Sequence, residues 1–77
     1  MNTSTQKLTV AANIQSGHTY QQHGNTTAQA FTVLYISKGY SRNTVAAYRR
    51  ARVRFADGRI GKQYVYANQR YIEIEVL

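Results

Sequence analysis

Cysteine, proline and tryptophan are all absent from this chain of 77 residues. Without cysteine, the chain can form no disulfide bond and can offer no thiolate to a metal ion. No apolar run approaches the roughly 20 residues that cross a bilayer, and the amino terminus lacks the basic and apolar segments of a signal peptide. We therefore expect a single cytoplasmic domain over residues 1–77, with no membrane partner.

Acidic residues are scarce, because three Asp and Glu stand against ten Lys and Arg, for a net charge of +7. Residues 1–37 contain one of the basic residues, and residues 38–77 contain the other nine together with all three acids. A basic half of this kind favours an anionic partner, either nucleic acid or an acidic protein surface. Net charge that only keeps a small protein in solution is the alternative interpretation.

Residues for catalysis or metal binding are also few. The chain shows no Ser-His-acid set, no carboxylate pair in a cleft pattern and no glycine-rich phosphate loop. His18 and His23 lie in a polar segment with no acid beside them in the sequence, and structural zinc takes four ligands. We expect exposed loop histidines, no cofactor, no metal site and no enzymatic activity.

Two stretches in the first half show strand patterns. Alternation in "KLTVAANI" predicts a half-buried strand over residues 7–14. The β-branched and aromatic residues of "AFTVLYIS" predict a strand over 30–37 that is buried on both sides, with Tyr35 in the core. Between them, residues 15–29 are polar and lack a period, which predicts a long loop.

The stretch "SRNTVAAYRRARVRF" is compatible with either a helix or a strand. Ser41, Asn43 and Thr44 are plausible helix N-caps, and "GYSRNTVAAYRRARVRFADG" is similar to the opening of the core-binding domain of tyrosine recombinases. A strand over residues 45–56 explains more, because apolar and basic residues alternate there. The apolar set is Ala51, Val53 and Phe55, and the basic set is Arg50, Arg52 and Arg54.

Two turns extend the strand interpretation. Ala56-Asp57-Gly58 fits a three-residue hairpin loop with glycine in the left-handed region, which places Phe55 opposite Arg59. A four-residue loop over 67–70 would then place Tyr66 opposite Tyr71. The predicted strands are 7–14, 30–37, 45–56, 59–66 and 71–77, with a bulge or sheet edge near Arg49, which breaks the apolar alternation.

These elements predict an all-β fold, a small five-stranded antiparallel SH3-like or OB-like barrel with the 15–29 loop across one end. The pattern "FTVLYIS…RARVRFADGRIGKQYVY", within residues 30–66, is similar to small SH3- or Tudor-like barrel proteins of tailed phages. That resemblance implies a phage or mobile-element accessory protein that acts in the host cytoplasm. It implies no catalytic residue.

One face of the predicted sheet is basic and rich in tyrosine. Glu73 and Glu75 are expected opposite Tyr64 and Lys62, where they would cancel part of its charge. Tyrosine and arginine can stack on bases and bind phosphate. The candidate binding residues are Arg50, Arg52, Arg54, Lys62, Tyr64 and Tyr66, with Arg49, Arg59, Tyr48 and Tyr71 nearby.

Two functions follow from this face. The first is a non-enzymatic module that binds DNA or RNA with low sequence specificity. The second is a small phage-type inhibitor that docks on an acidic surface of a host protein, such as a defence nuclease or a polymerase. An exposed edge strand could also pair two copies into a homodimer.

Overall fold

A computed structural model of the chain describes residues 6–24 and 27–74. These residues form antiparallel strands and one short 3-10 helix, so the expected all-β antiparallel fold is confirmed, with seven described strands rather than five. No helix within these ranges is long and apolar enough to cross a membrane. The 3-10 helix spans Ala11–Asn13, and the strands are β1 (Gln6–Val10), β2 (Thr19–Gln22), β3 (Phe31–Ile36), β4 (Ser41–Arg42), β5 (Ala47–Phe55), β6 (Ile60–Tyr66) and β7 (Arg70–Ile74).

The strands form one sheet in the order β1-β7-β2-β3-β5-β6. The two-residue strand β4 follows β3 along the same edge of β5, because Tyr48 pairs with Ser41 of β4 on one side and with Tyr66 of β6 on the other. In the described part of the chain β1 and β6 each have one neighbour, and the sheet is open between them. Self-association through such an edge stays a prediction.

The β5–β6 hairpin has the predicted register. Its pairs join Arg54 to Ile60, Arg52 to Lys62, Arg50 to Tyr64 and Tyr48 to Tyr66. At the tip, the Phe55 N–H donates to the Arg59 carbonyl oxygen at 2.7 Å, and Gly58 has a φ of 92°. Residues 47–55 are therefore extended, and the helical alternative for this segment is wrong.

Gly58→Ala should lower the free energy of unfolding by about 1–2 kcal/mol, because a β-carbon is strained in the left-handed region. No atom lies within 4 Å of the position that this β-carbon would take, so the loss would report backbone strain alone. Gly39→Ala is the matched control, since that site is equally open and its φ lies outside the left-handed region. Chemical denaturation of both variants checks the prediction, and equal stabilities would contradict it.

The absence of hydrophobic alternation over residues 15–29 predicted one long loop, and this prediction is wrong. Strand β2 lies within these residues, between β7 and β3 in the sheet. The strand has four residues and only Tyr20 among them is buried. Its sequence therefore shows no hydrophobic alternation. Hydrogen bonds of polar side chains support the strand instead, including one of 2.8 Å between the hydroxyls of Thr19 and Thr32.

Strand β7 does not pair with β6, so the predicted second hairpin is wrong. It runs between β1 and β2, and Tyr71 lies opposite Thr9 and Gln22 rather than Tyr66. This position provides two ladders of hydrogen bonds in place of the single ladder of a hairpin. Glu75, the predicted partner of Lys62, lies outside the described residues.

The sheet is irregular in β3 and also, as predicted, near Arg49. There the pairing of β5 with β3 ends at Ala51 and its pairing with β4 begins at Tyr48. Between Val33 and Tyr35 the register of β3 against β5 shifts by one residue, so Leu34 is the extra residue of a bulge. The β5–β6 ladder runs through Arg49 without a break. Because β3 has one residue more than β5 at this point, each later residue of β3 points to the opposite side of the sheet from the one it would take in an unbroken strand. One side of β3 is therefore exposed, and the prediction of burial on both sides is wrong.

Aromatic rings fill the centre of the core. Phe31 lies between Tyr20 and Tyr71, with ring centroids 6.2 Å away on either side. The hydroxyl of Tyr20 accepts the Gln15 N–H, and the hydroxyl of Tyr71 accepts the Tyr66 N–H. Buried polar groups normally need such partners. The other members of the core are aliphatic: Ala11, Ile14, Val33, Ala51, Val53 and Val65.

Alkaline pH should destabilise this core. Burial raises the pKa of Tyr20 and of Tyr71 above the ordinary value of 10.0, although each accepted backbone N–H opposes the shift. The unfolded chain then releases these protons at lower pH than the folded chain. The stabilising contribution is complete below pH 10.0 and declines as the pH rises above it.

Denaturation curves between about pH 9 and about pH 11 measure this decline. Tyr71→Phe should make it shallower, because a phenyl ring cannot ionise. Tyr35→Phe is the control, since Tyr35 is exposed and outside the core. If both variants keep the wild-type pH dependence, the buried hydroxyl of Tyr71 is not its source.

Candidate functional site

The outward side of β3, β5 and β6 carries most of the residues that the sequence selected. Neighbours in an antiparallel ladder point to the same side of a sheet, so the register places them in rows across the three strands. One row is Arg54 with Ile60, the next is Arg52 with Lys62, and the third is Arg50 with Tyr64. We call this surface the arginine–tyrosine face, formed by Tyr35, Tyr48, Arg50, Arg52, Arg54, Lys62, Tyr64 and Tyr66.

The four cations of the arginine–tyrosine face are exposed. None of them forms an ion pair or a side-chain hydrogen bond with any part of the chain that the structure describes. Alternate residues of a strand lie about 7 Å apart, so the arginines of β5 form an evenly spaced line. The line comprises Arg50, Arg52 and Arg54, with Lys62 beside its centre.

The two carboxylates within the described residues, Asp57 and Glu73, lie away from this surface. Strands β3, β5 and β6 contain no Asp or Glu. Asp57 lies at the hairpin tip, and Glu73 lies on β7, two strands beyond β3, where it faces Tyr20 of β2. The predicted cancellation by Glu73 is therefore wrong, and Glu75 lies outside the described residues. The cause is the position of β7, which the predicted hairpin had placed beside β6.

Three tyrosines pack together at one end of the arginine–tyrosine face. The rings of Tyr48 and Tyr64 stack with centroids 4.4 Å apart, and Tyr66 lies 5.7 Å from Tyr48. The Asn43 side-chain amide donates to the Tyr66 hydroxyl at 3.1 Å. Tyr48 and Tyr66 are half-buried as a result, and Tyr64 is 39% exposed. The three rings thus pack against one another and partly cover one another's faces.

Arg49 is not part of this surface, contrary to the sequence-based prediction. It is 9% exposed and lies on the inward side of β5 with Ala51 and Val53. Its guanidinium donates to carbonyl oxygens of the 3-10 helix, of Ile14 directly after that helix, and of Ser37 after β3. An arginine on the apolar side is tolerated because its donors are satisfied. Arg49 is a structural residue.

Tyr71 is a further correction, whereas Arg59 stays a candidate binding residue at the hairpin tip. The Arg59 guanidinium donates to Asp57 at 2.9 Å and lies over the Phe55 ring, 5.5 Å from its centroid. The Arg59 backbone N–H, and after it the guanidinium, lowers the pKa of Asp57 below its ordinary value. The Arg59 side chain is nevertheless 71% exposed beside this pair, so its part in binding stays a prediction. Tyr71 is 2% exposed and belongs to the core.

Tyr35 is the residue that the sequence missed. It was predicted in the core, but it is 67% exposed and lies opposite Arg52. The Leu34 bulge is the cause, because an unbroken strand would have turned Tyr35 inward and Ile36 outward. A strand with one buried side needs apolar residues only at alternate positions. The longer apolar run of β3 was the one feature of the sequence that could have indicated the extra residue.

Both histidines are exposed and lie outside the strands, as predicted. The acid beside His18 was not predicted: the His18 Nδ1 lies 3.0 Å from Oε2 of Glu73. The two residues are 55 positions apart in the sequence, so only the pairing of β2 with β7 brings them together. Within residues 6–24 and 27–74, no three metal-ligating side chains of the His, Cys, Asp and Glu types form a group.

Comparisons with models of protein families, with curated proteins and with solved structures found no match. The chemistry of the arginine–tyrosine face must therefore be judged from its own residues. Its planar guanidinium groups can each bind an anionic oxygen pair with two parallel hydrogen bonds. Its tyrosines present aromatic rings and hydroxyl groups beside those cations. Such a surface can bind a chain of anionic groups.

Proposed function

We propose that this protein is a non-enzymatic nucleic-acid-binding module and that the arginine–tyrosine face is its binding surface. The observation that carries the proposal is the line of exposed arginines on β5, which lies among three strands, β3, β5 and β6, that contain no acid. A polyanion with regularly spaced phosphates complements a regularly spaced line of cations. Tyrosines beside the line add surfaces on which bases or sugars can pack.

The pairing of Arg52 with Lys62 supports the same conclusion. These residues lie directly opposite each other on neighbouring strands, and like charges in that arrangement destabilise a sheet. No carboxylate of the described chain relieves the repulsion. A phosphate bound between the two side chains would relieve it, which couples ligand binding to the stability of the hairpin.

Fluorescence anisotropy with labelled DNA and RNA tests the proposal. Four phosphate contacts predict that the logarithm of the affinity falls with the logarithm of the salt concentration with a slope of about 3 to 4. Sequence preference should be weak, because contacts to phosphate carry no sequence information. Absence of binding at low salt and tens of micromolar protein would refute the proposal.

A host protein is the second candidate partner, and exposed apolar side chains favour it. Leu34 and Ile60 are exposed beside the arginines, and mixed apolar, tyrosine and arginine surfaces are typical of protein interfaces. Under this proposal the chain is a phage-type inhibitor of the SH3- or Tudor-like class. A pull-down from nuclease-treated host lysate separates the two, since one retained acidic protein favours the inhibitor and loss of all bound material favours nucleic acid.

A further inference from the structure

Tyr35 is the most exposed aromatic ring of the described chain, at 67%. Its neighbours across the sheet are Arg52 and, beyond it, Lys62. The ring is therefore placed in the central row of the arginine–tyrosine face with two cations beside it. Leaving such a ring in water forgoes the burial that normally makes aromatic residues stabilising.

The structure provides this exposure through a local irregularity. The extra residue Leu34 interrupts the β3–β5 ladder, which costs regular pairing at that point. Without it, Tyr35 would enter the core and Ile36 would face the solvent. Bulges are over-represented at sheet edges and next to active sites, where they can re-aim a side chain. The bulge in β3 has that consequence for Tyr35.

The other tyrosines of the face differ from Tyr35. Tyr48 and Tyr64 stack on each other at 4.4 Å, and Tyr66 is held by Asn43. Their ring faces are thus partly covered by one another. Tyr35 takes part in no such ring contact within the described chain. A free aromatic face next to a phosphate-binding cation is what an unpaired base requires for stacking.

We infer that the ligand of this face is a single-stranded nucleic acid, with one base stacked on Tyr35 and the adjoining phosphate bound by Arg52. The inference deepens the proposed function and rests on it. In a duplex the base faces are covered by their neighbours, so Tyr35 would find no partner there.

The test compares a labelled single strand of about 12 nucleotides with the duplex of the same length. The wild-type protein should bind the single strand more tightly. Tyr35→Ala should weaken single-strand binding about 5- to 150-fold, as expected for loss of one stacked base, and should leave duplex binding unchanged. Tyr35→Phe should retain single-strand binding, because it retains the ring.

Tyr40→Ala is the matched control, since Tyr40 is also exposed but lies in the turn between β3 and β4. Thermal melts confirm that each variant is folded. The salt dependence of Tyr35→Ala should equal that of the wild type, because no phosphate contact is removed. Equal affinity for single strand and duplex, or unchanged single-strand binding by Tyr35→Ala, would overturn the inference. Wild-type protein that binds neither nucleic acid would instead refute the proposed function itself.

Discussion

Arg49→Met should lower the free energy of unfolding by about 2–4 kcal/mol, the largest loss that we expect from any single side chain on β5. The guanidinium donates to the carbonyl oxygens of Ser37 at 2.8 Å, Ala11 at 2.9 Å, Ile14 at 3.2 Å and Ala12 at 3.4 Å. It therefore ties the 3-10 helix and the segment after β3 to β5. Methionine fills a similar volume but would remove these donors, and Ala11 would keep only the Ile14 N–H at 3.3 Å.

Arg50→Met is the matched control, because Arg50 is the next residue of the same strand and faces the solvent. Its stability should change by no more than about 0.5 kcal/mol. In a domain of this size, the Arg49 variant should melt at least about 10 °C lower than this control. Arg49→Lys should recover part of the loss, since an ammonium reaches fewer of the carbonyls.

Nucleic-acid binding should respond to these two residues in the opposite way. Below its melting temperature, Arg49→Met should bind like the wild type, and Arg50→Met should bind more weakly with a smaller salt slope. Equal melting temperatures of the two variants would show that the buried guanidinium does not hold this part of the fold.

Arg52→Glu and Arg54→Glu should each weaken nucleic-acid binding at low salt by about tenfold or more, and by similar factors. Each change removes one phosphate contact and introduces a repulsive charge, and 1.4 kcal/mol corresponds to about a factor of ten. The effects should be alike because both side chains leave the same side of β5 and are exposed. Neither variant should lose much stability, since neither side chain has a partner in the described chain.

Arg70→Glu separates a local effect from net charge. Arg70 is exposed at the start of β7, which is not adjacent to β5 or β6. Arg70→Glu changes the net charge by the same amount as Arg52→Glu or Arg54→Glu. It should reduce the affinity for nucleic acid far less, particularly at physiological salt, where charges are screened within about 8 Å. Equal losses for Arg52→Glu, Arg54→Glu and Arg70→Glu would contradict a defined binding surface and indicate diffuse electrostatic attraction.

The β5–β6 hairpin shows how much of the fold and of the site was predictable. Its alternation, its glycine at the tip and its register are all local properties, because pairing partners are separated by a short turn. The placement of Arg50, Arg52, Arg54 and Lys62 on one exposed side followed from that register and is confirmed. Charge and period were sufficient for this part of the surface.

Other elements depended on partners far away in the chain. Strand β2 has one buried residue, so its identity as a strand comes from the two neighbours that provide its hydrogen bonds. Strand β7 pairs with β1, about sixty residues earlier in the sequence, rather than with the adjacent β6. Local pattern cannot choose between such partners, because the choice depends on which arrangement leaves the fewest unpaired strands.

The sequence by itself determined the β class, the hairpin and the line of cations, because each follows from side-chain period and turn chemistry over a few residues. Only the tertiary structure decided which residues join that line. It moved Arg49 and Tyr71 inward, where backbone groups satisfy their polar atoms. It brought Tyr35 outward, because one extra residue in β3 reverses the facing of the strand. A single-residue change in register is invisible to composition and period, yet it exchanges core and surface.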